Sequence, residues 1–341
     1  MLLSPAGLRR CSSTGKPCAS FAAPPHPSGG ASASGIGLRS SLRKTPRHIG
    51  ASAAGLTRRG RPGLLVAATA FPSPDSPAAP LAASSPEATT LAGRTVVRIA
   101  DGAEVDAASL VPVSGTQLLL FLTHTADFDS FEQAMQLVDV LPALAAAGVG
   151  VTAVCIGSRG AAEAFASFTR FPVDLLLADE SAACYAALGF APGAGRPGGP
   201  AQWLAGTSGM AKLFVMCAGI GSPGTLPEVF RGYLGDRSAP PVFGRRPGSN
   251  VSSPLGSAFD VLGTGYQRPF ELATLRGQNM VTVLQNWERL APADDQLLVQ
   301  RGGALLMRDG KCVWRHNDAG ILGYAPLATV LDACGVPGGA A

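Results

Sequence analysis

The sequence predicts an α/β domain: a central mixed sheet flanked by helices and interrupted by a large, mainly helical and loop insertion. Three observations carry this reading. Apolar runs of strand length alternate with helical periodicity from residue 95 to 190. An Asp-Gly hairpin and a last helix close the chain between residues 303 and 334. Between these blocks, residues 191–295 are Gly/Pro-rich at first and break the alternation, far exceeding an ordinary loop.

The elements follow in order. TVVRIA reads as a short strand, and QLLLFLT as a strand without alternation, hence apolar on both faces. SFEQAMQLVDVLPALAAAG places Phe131, Met135, Val138 and Leu141 at helical spacing, with Ser130 as N-cap, Gln133 completing a capping box, and Gly148 as the stop. VGVTAVCIG is the next buried strand, then a helix in GAAEAFASFTRF, a strand in VDLLLA and a helix in ESAACYAALG. After the insertion, with its long helix PFELATLRGQNMVTVLQNWERL, GGALLMRDGKCVWRHND reads as two strands turning at Asp309-Gly310. APLATVLDAC supplies the last helix. Strand–helix–strand, then helix, antiparallel hairpin and helix, is the thioredoxin-like order.

Charge divides the chain differently. Residues 1–68 hold ten Lys/Arg and no acid, whereas the remainder holds seventeen basic and twenty-three acidic residues. The acid-free, Ser/Ala/Arg-rich leader reads as an organelle transit peptide, with chloroplast as destination and stroma favoured over thylakoid lumen. Residues 69–92 read as a tether and 93–336 as the folded domain. A net acidic body gives nucleic acid no basic surface to bind. No segment reaches the ~20 apolar residues that a membrane span needs. The five cysteines beyond the leader (Cys155, Cys184, Cys217, Cys312, Cys334) are scattered, with no C-x-x-C pair, so no zinc knuckle is expected.

MCAGIGSPGT, residues 216–225, spells G-x-G-x-x-G after the apolar run LFVM. A phosphate cradle, a redox site at Cys217 and a tight turn are the competing readings. The cradle fails on context: an acid about 20 residues on, after a second strand, is missing, and Pro223 removes a donor. No cofactor is expected. If LFVM is a strand and TLPEVF begins a helix, Cys217 stands at an element end where dipoles acidify a thiol; its bland alternative is a small buried apolar residue.

LLLFLTHTADFDSFEQA, VGVTAVCIGSRGAAEAFASFTRFPVDLLLADESAACYAALGF and QRGGALLMRDGKCVWRH together resemble the alkyl hydroperoxide reductase/thiol-specific antioxidant group. They are most similar to peroxiredoxin-like proteins of chloroplasts and cyanobacteria, over about residues 94–334. The resemblance implies a peroxidatic cysteine in P-x-x-x-T-x-x-C at the start of the helix after LLLFLT, and thioredoxin as reductant. This chain departs from that motif: an ungapped superposition puts His124 at the proline, Phe128 at the threonine and Phe131 at the cysteine. No cysteine occurs in 95–154. Arg301 matches the arginine that steadies the family's thiolate.

His124, Asp127, Asp129 and Ser130 then form a candidate ligand loop, with Asp-x-Asp and one His too few for a committed metal site. The acids at a helix start also suit plain capping. Cys334 is a candidate resolving thiol. The expectation is a plastid, thioredoxin-fold, peroxiredoxin-like protein with a redox or antioxidant association but no cysteine at the usual position. Its expected partners are thioredoxin or another plastid protein, or a second copy in a homodimer. The alternative is a non-catalytic binding or scaffold protein that uses its insertion as a partner or ligand surface.

Overall fold

The computed structural model describes residues 85–235, 241–244, 249–253 and 256–336. The basic leader and most of the tether lie outside the described residues. The first described element is helix α1 (Pro86–Leu91), inside the stretch read from composition as tether: Ser85 caps it, Pro86 presets its first turn, and Leu91 is fully buried. The packed chain therefore starts before the boundary set at residue 93.

Strands β1 (Thr95–Arg98), β2 (Glu104–Asp106), β3 (Thr116–His124), β4 (Val149–Ile156), β5 (Leu176–Ala178), β6 (Gly303–Arg308) and β7 (Lys311–Asn317) form one mixed sheet, ordered β2-β1-β5-β4-β3-β6-β7. β3, β4 and β5 run parallel, and β1, β6 and β7 join antiparallel. In β3, Leu118, Leu120 and Leu122 face one core while Leu119 and Phe121 face the other. That two-sided burial is why the run lacks polar alternation. The first core packs beneath α2 (Phe128–Ala146), α3 (Arg159–Thr169) and α9 (Leu327–Ala333). The second packs beneath α1 and α4 (Ala183–Ala187). The hairpin turns at Asp309 and Gly310, both with positive φ.

Two local expectations need correction. α2 begins at Phe128, not Ser130; its N-cap is Asp127, whose carboxylate accepts from the Asp129 amide, so the capping box at Ser130 does not form. LFVM is not a strand but the body of helix α5 (Gly209–Cys217). Its end is the glycine turn: Gly219, at φ 82°, donates to Met216 and Ile220 donates to Val215, a Schellman closure. Gly219 of GIGSPG thus ends one helix, and Gly224 stands at the N-cap of the next.

The insertion continues through α6 (Thr225–Phe230), α7 (Arg268–Gln285) and α8 (Trp287–Leu290). α7 lies along α2, fastened by an ion pair: Arg276 Nε is 2.7 Å from Glu132 Oε2, and the Tyr324 hydroxyl donates to Glu132 Oε1 at 2.7 Å. Glu132 is 1% exposed, and its charge holds the Arg276 guanidinium protonated more firmly than usual against its own burial. Removing one partner of such a buried pair strands the other's charge. Arg276→Ala is accordingly expected to lower unfolding stability by about 3–5 kcal/mol, measured by urea denaturation. Arg276→Met with Glu132→Gln should cost less than that, because neither retains an unpaired charge.

Candidate functional site

The end of β3 and the start of α2 meet the segment before β6. This corner brings together His124, Asp127, Asp129, Ser130 and Arg301, five residues separated by up to 177 positions in sequence. Arg301 is 2% exposed; its Nη1 lies 3.6 Å from Asp127 Oδ2, while its Nε and Nη2 donate to the Val299 and Leu298 carbonyls at 3.2 Å. Asp127 also receives the Thr123 hydroxyl proton at 2.6 Å. The hydroxyls of Thr123 and Ser130 are 2.6 Å apart, and with Thr123 committed to Asp127, Ser130 is the donor between them. Asp127 is therefore a carboxylate held by an arginine, a hydroxyl and a helix N-terminus, all of which favour negative charge.

Phe131, which the ungapped superposition sets at the family's cysteine, is 1% exposed and packs edge-on against Phe165 with ring centroids 5.1 Å apart. The side chain opposite Arg301 is Asp127, one helical turn earlier. The sequence signal that singles it out is Asp-x-Asp directly after an apolar strand, which by itself is equally consistent with capping.

Around this pair the remaining groups are buried without full partners. Asp129 is 4% exposed; Oδ2 accepts from the Leu322 amide and Oδ1 has no partner. Burial first, and then the Asp127 charge, raises its pKa well above the ordinary carboxylate range. His124 is 1% exposed and neither ring nitrogen completes a hydrogen bond. Burial, reinforced by Arg301 and opposed by Asp127, lowers its pKa to about 4. Asp318, buried and 3.6 Å from His316, is raised to about 6 by burial, with His316 and Arg301 opposing. A small polar cavity, ≈ 10 Å³ or about one water-sized molecule, opens beside Asp129, Ser130, Arg301, Asp318 and Tyr324. Among the described residues no three His, Cys, Asp or Glu are grouped to hold a metal.

No described cysteine joins the hydrogen bonds of this corner, although Cys217 lies near enough to feel its charges. Cys217 is exposed, but it is the last residue of α5, at the carbonyl end of the helix, where the dipole disfavours a thiolate. Partial burial of its sulfur, followed by the charges of Asp127 and Asp129, raises its pKa; Arg301 pulls in the opposite direction. TLPEVF does begin a helix, α6, but Cys217 closes helix α5 rather than a strand, so the dipole at its own position opposes the thiolate. Cys334, the expected resolving thiol, is buried and raised to about 11, chiefly by burial. Burial likewise lifts Cys155 to about 12 and pushes Cys184 and Cys312 upward.

Two outcomes follow. Among the described cysteines of the native protein, iodoacetamide should label Cys217 first, with a rate still rising above pH 9, read by mass spectrometry of the digest. His124 binds a proton more readily when unfolded, so its contribution to stability is complete above pH 6.5 and is lost as pH falls towards 4. That loss amounts to about 3 kcal/mol. Asp318 and Asp129 have the opposite sign, so the test is a difference: on going from pH 6.5 to 4, His124→Leu should gain about 3 kcal/mol of stability relative to the unsubstituted protein.

No helix of the described residues is long and apolar enough to cross a membrane. No curated protein and no solved structure matches the chain. A family model does match: that of the AhpC/TSA antioxidant enzyme, over residues 136–320. The match includes Arg301 and strands β4 to β7, and begins downstream of β3, Asp127 and Asp129. With more than half its length matched and a mixed sheet of the thioredoxin-like kind, the chain belongs to the AhpC/TSA antioxidant enzyme family.

Proposed function

We propose that this protein is a plastid member of the AhpC/TSA family that has exchanged thiol chemistry for binding. On this reading Asp127 takes the place beside Arg301 that a reactive thiolate holds in the family, and Arg301 is retained as its ion-pair partner. The observation that carries the reading is the Asp127–Arg301 pair at the N-terminus of α2: the arginine is already occupied by a carboxylate and two backbone carbonyls. An aspartate there cannot be oxidised by peroxide, so the corner has the charge of a peroxidase site without its nucleophile. The raised pKa of every described cysteine supports the same conclusion.

The binding role falls to the insertion, which borders this corner. Ser222 and Thr225, at the start of α6, accept from the Ile321 amide, and Asp129 accepts from the next one, Leu322. One loop thus reports the state of the corner to the insertion. Import into the plastid, with the stroma as destination, rests on the acid-free basic leader at residues 1–68, followed by the tether. A redox role for Cys217 is the competing reading, favoured by its exposure and by Arg301 acting on it.

Peroxide consumption with a thioredoxin system, measured on the protein and on Cys217→Ser, separates the two. No turnover in either is expected; turnover abolished by Cys217→Ser overturns the binding reading. Asp127→Cys provides the positive counterpart. A thiol at that N-cap beside Arg301 should have a pKa at least about one unit below the ordinary 8.5 and form a sulfenic acid with peroxide.

A further inference from the structure

Helix α7 is apolar on two opposite faces. Leu272, Leu275 and Val283 are buried on the face towards α2. On the other face stand Phe270 (52% exposed), Met280 (47%), Val281 (50%) and Leu284 (62%), with Ala273 and Gly277 between them. A solvent-facing helix normally carries charged or polar residues there. Positions 270, 273, 277, 280 and 284 alternate spacings of three and four, the seam of a two-helix coiled contact. Phe270 is preset for this face by stacking on Phe259, centroids 6.0 Å apart.

We propose that this face is the site of self-association, where α7 packs antiparallel against α7 of a second copy. The charge on the helix selects that occupant. From Gly277 to Trp287 there is no charged residue. Upstream, Arg268 is half-buried one turn before Leu272 on the inner side, Glu271 is buried and accepts from the Val242 amide, and Arg276 is bound to Glu132. The outer face therefore offers an acidic or basic partner nothing to pair with and repels nothing identical to itself, as in the charge-depleted centre of protein interfaces. It also lacks the basic flank by which interfacial helices hold anionic lipid.

The pattern is self-complementary as well. A two-fold axis through Gly277 sets Phe270 opposite Leu284, Ala273 opposite Val281, and glycine opposite glycine. Large side chains then meet at both ends while the backbones approach at the centre, and antiparallel helix dipoles favour the pairing. Among the described residues nothing demands a glycine at 277: a Cβ built there meets no atom within 4 Å. A glycine inside a helix is destabilising relative to alanine, so its presence is explained by close approach of a second backbone.

Sedimentation velocity of the full-length protein under reducing conditions, so that Cys217 forms no cross-link, tests this. A dimer is expected whose dissociation constant rises at least about tenfold in Leu284→Asp. It should be unchanged in Val313→Asp, an equally exposed position on β7. Leu284 is mostly solvent-exposed, so circular dichroism should show the fold intact. In the Cys217→Ser background, Gly277→Cys should yield a disulfide-linked dimer on oxidation. A monomer at all concentrations overturns the proposal, as does a dimer insensitive to Leu284→Asp. A monomer that binds phosphatidylglycerol vesicles through Leu284 also overturns it, assigning the face to a membrane surface instead.

Discussion

The buried contact between Arg301 and Asp127 fixes the geometry of this molecule's functional corner. An arginine that is 2% exposed is tolerable only if its charge is met and its donors are used. Two backbone carbonyls and one carboxylate do this, and each comes from a segment that must be in place first. Leu298 and Val299 belong to the turn entering β6, and Asp127 to the turn leaving β3. Since β3 and β6 pair directly in the sheet, the ion pair ties the α2 N-terminus to the strand register.

Among the described residues Asp127 takes up the one cation of this corner, and its buried neighbours are left without one. Asp129 lies two residues away in the same dry environment, so it keeps its proton where an ordinary carboxyl loses it. His124, close to a guanidinium and out of water, stays neutral for the complementary reason. Glu132, one turn further along α2, has its own cation in Arg276, which is why the helix can carry a third buried acid. The cost of these acids is offset by cations drawn from distant parts of the chain: Arg301 from the sheet and Arg276 from the insertion. The insertion is thereby part of the domain's electrostatic closure, and its apolar outer surface faces away from that work.

Much of this was legible in sequence. Strands that alternate faces within a doubly covered sheet must be apolar throughout, so β3 and β4 declare themselves. The Asp-Gly hairpin likewise follows from a left-handed turn that few residues adopt. The site was only half legible. Asp127, Asp129, Ser130, His124 and Arg301 stand out as a group, but their spacing does not say which one faces the arginine. The expected cap at Ser130 sets the helix start three residues too late, and with Asp127 as the cap it is Asp127 that meets Arg301. The apolar run at 213–216 misled in a similar way. Four apolar residues fit a strand or a buried helix turn equally, and only Ser208 capping the helix and Gly219 closing it decide the matter.

By itself, then, the amino-acid sequence determined the α/β class, the element order, the charge division between leader and body, and the absence of a cysteine where the family resemblance requires one. These are properties of local pattern and of composition, which no packing can alter. Tertiary structure decided which carboxylate meets Arg301, that Cys217 stands at the wrong end of a helix to be acidified, and that α7 has a second apolar face left open. Each of those depends on distances and burial between segments remote in sequence. Burial, in turn, sets the cost of a charge and so decides which groups keep one.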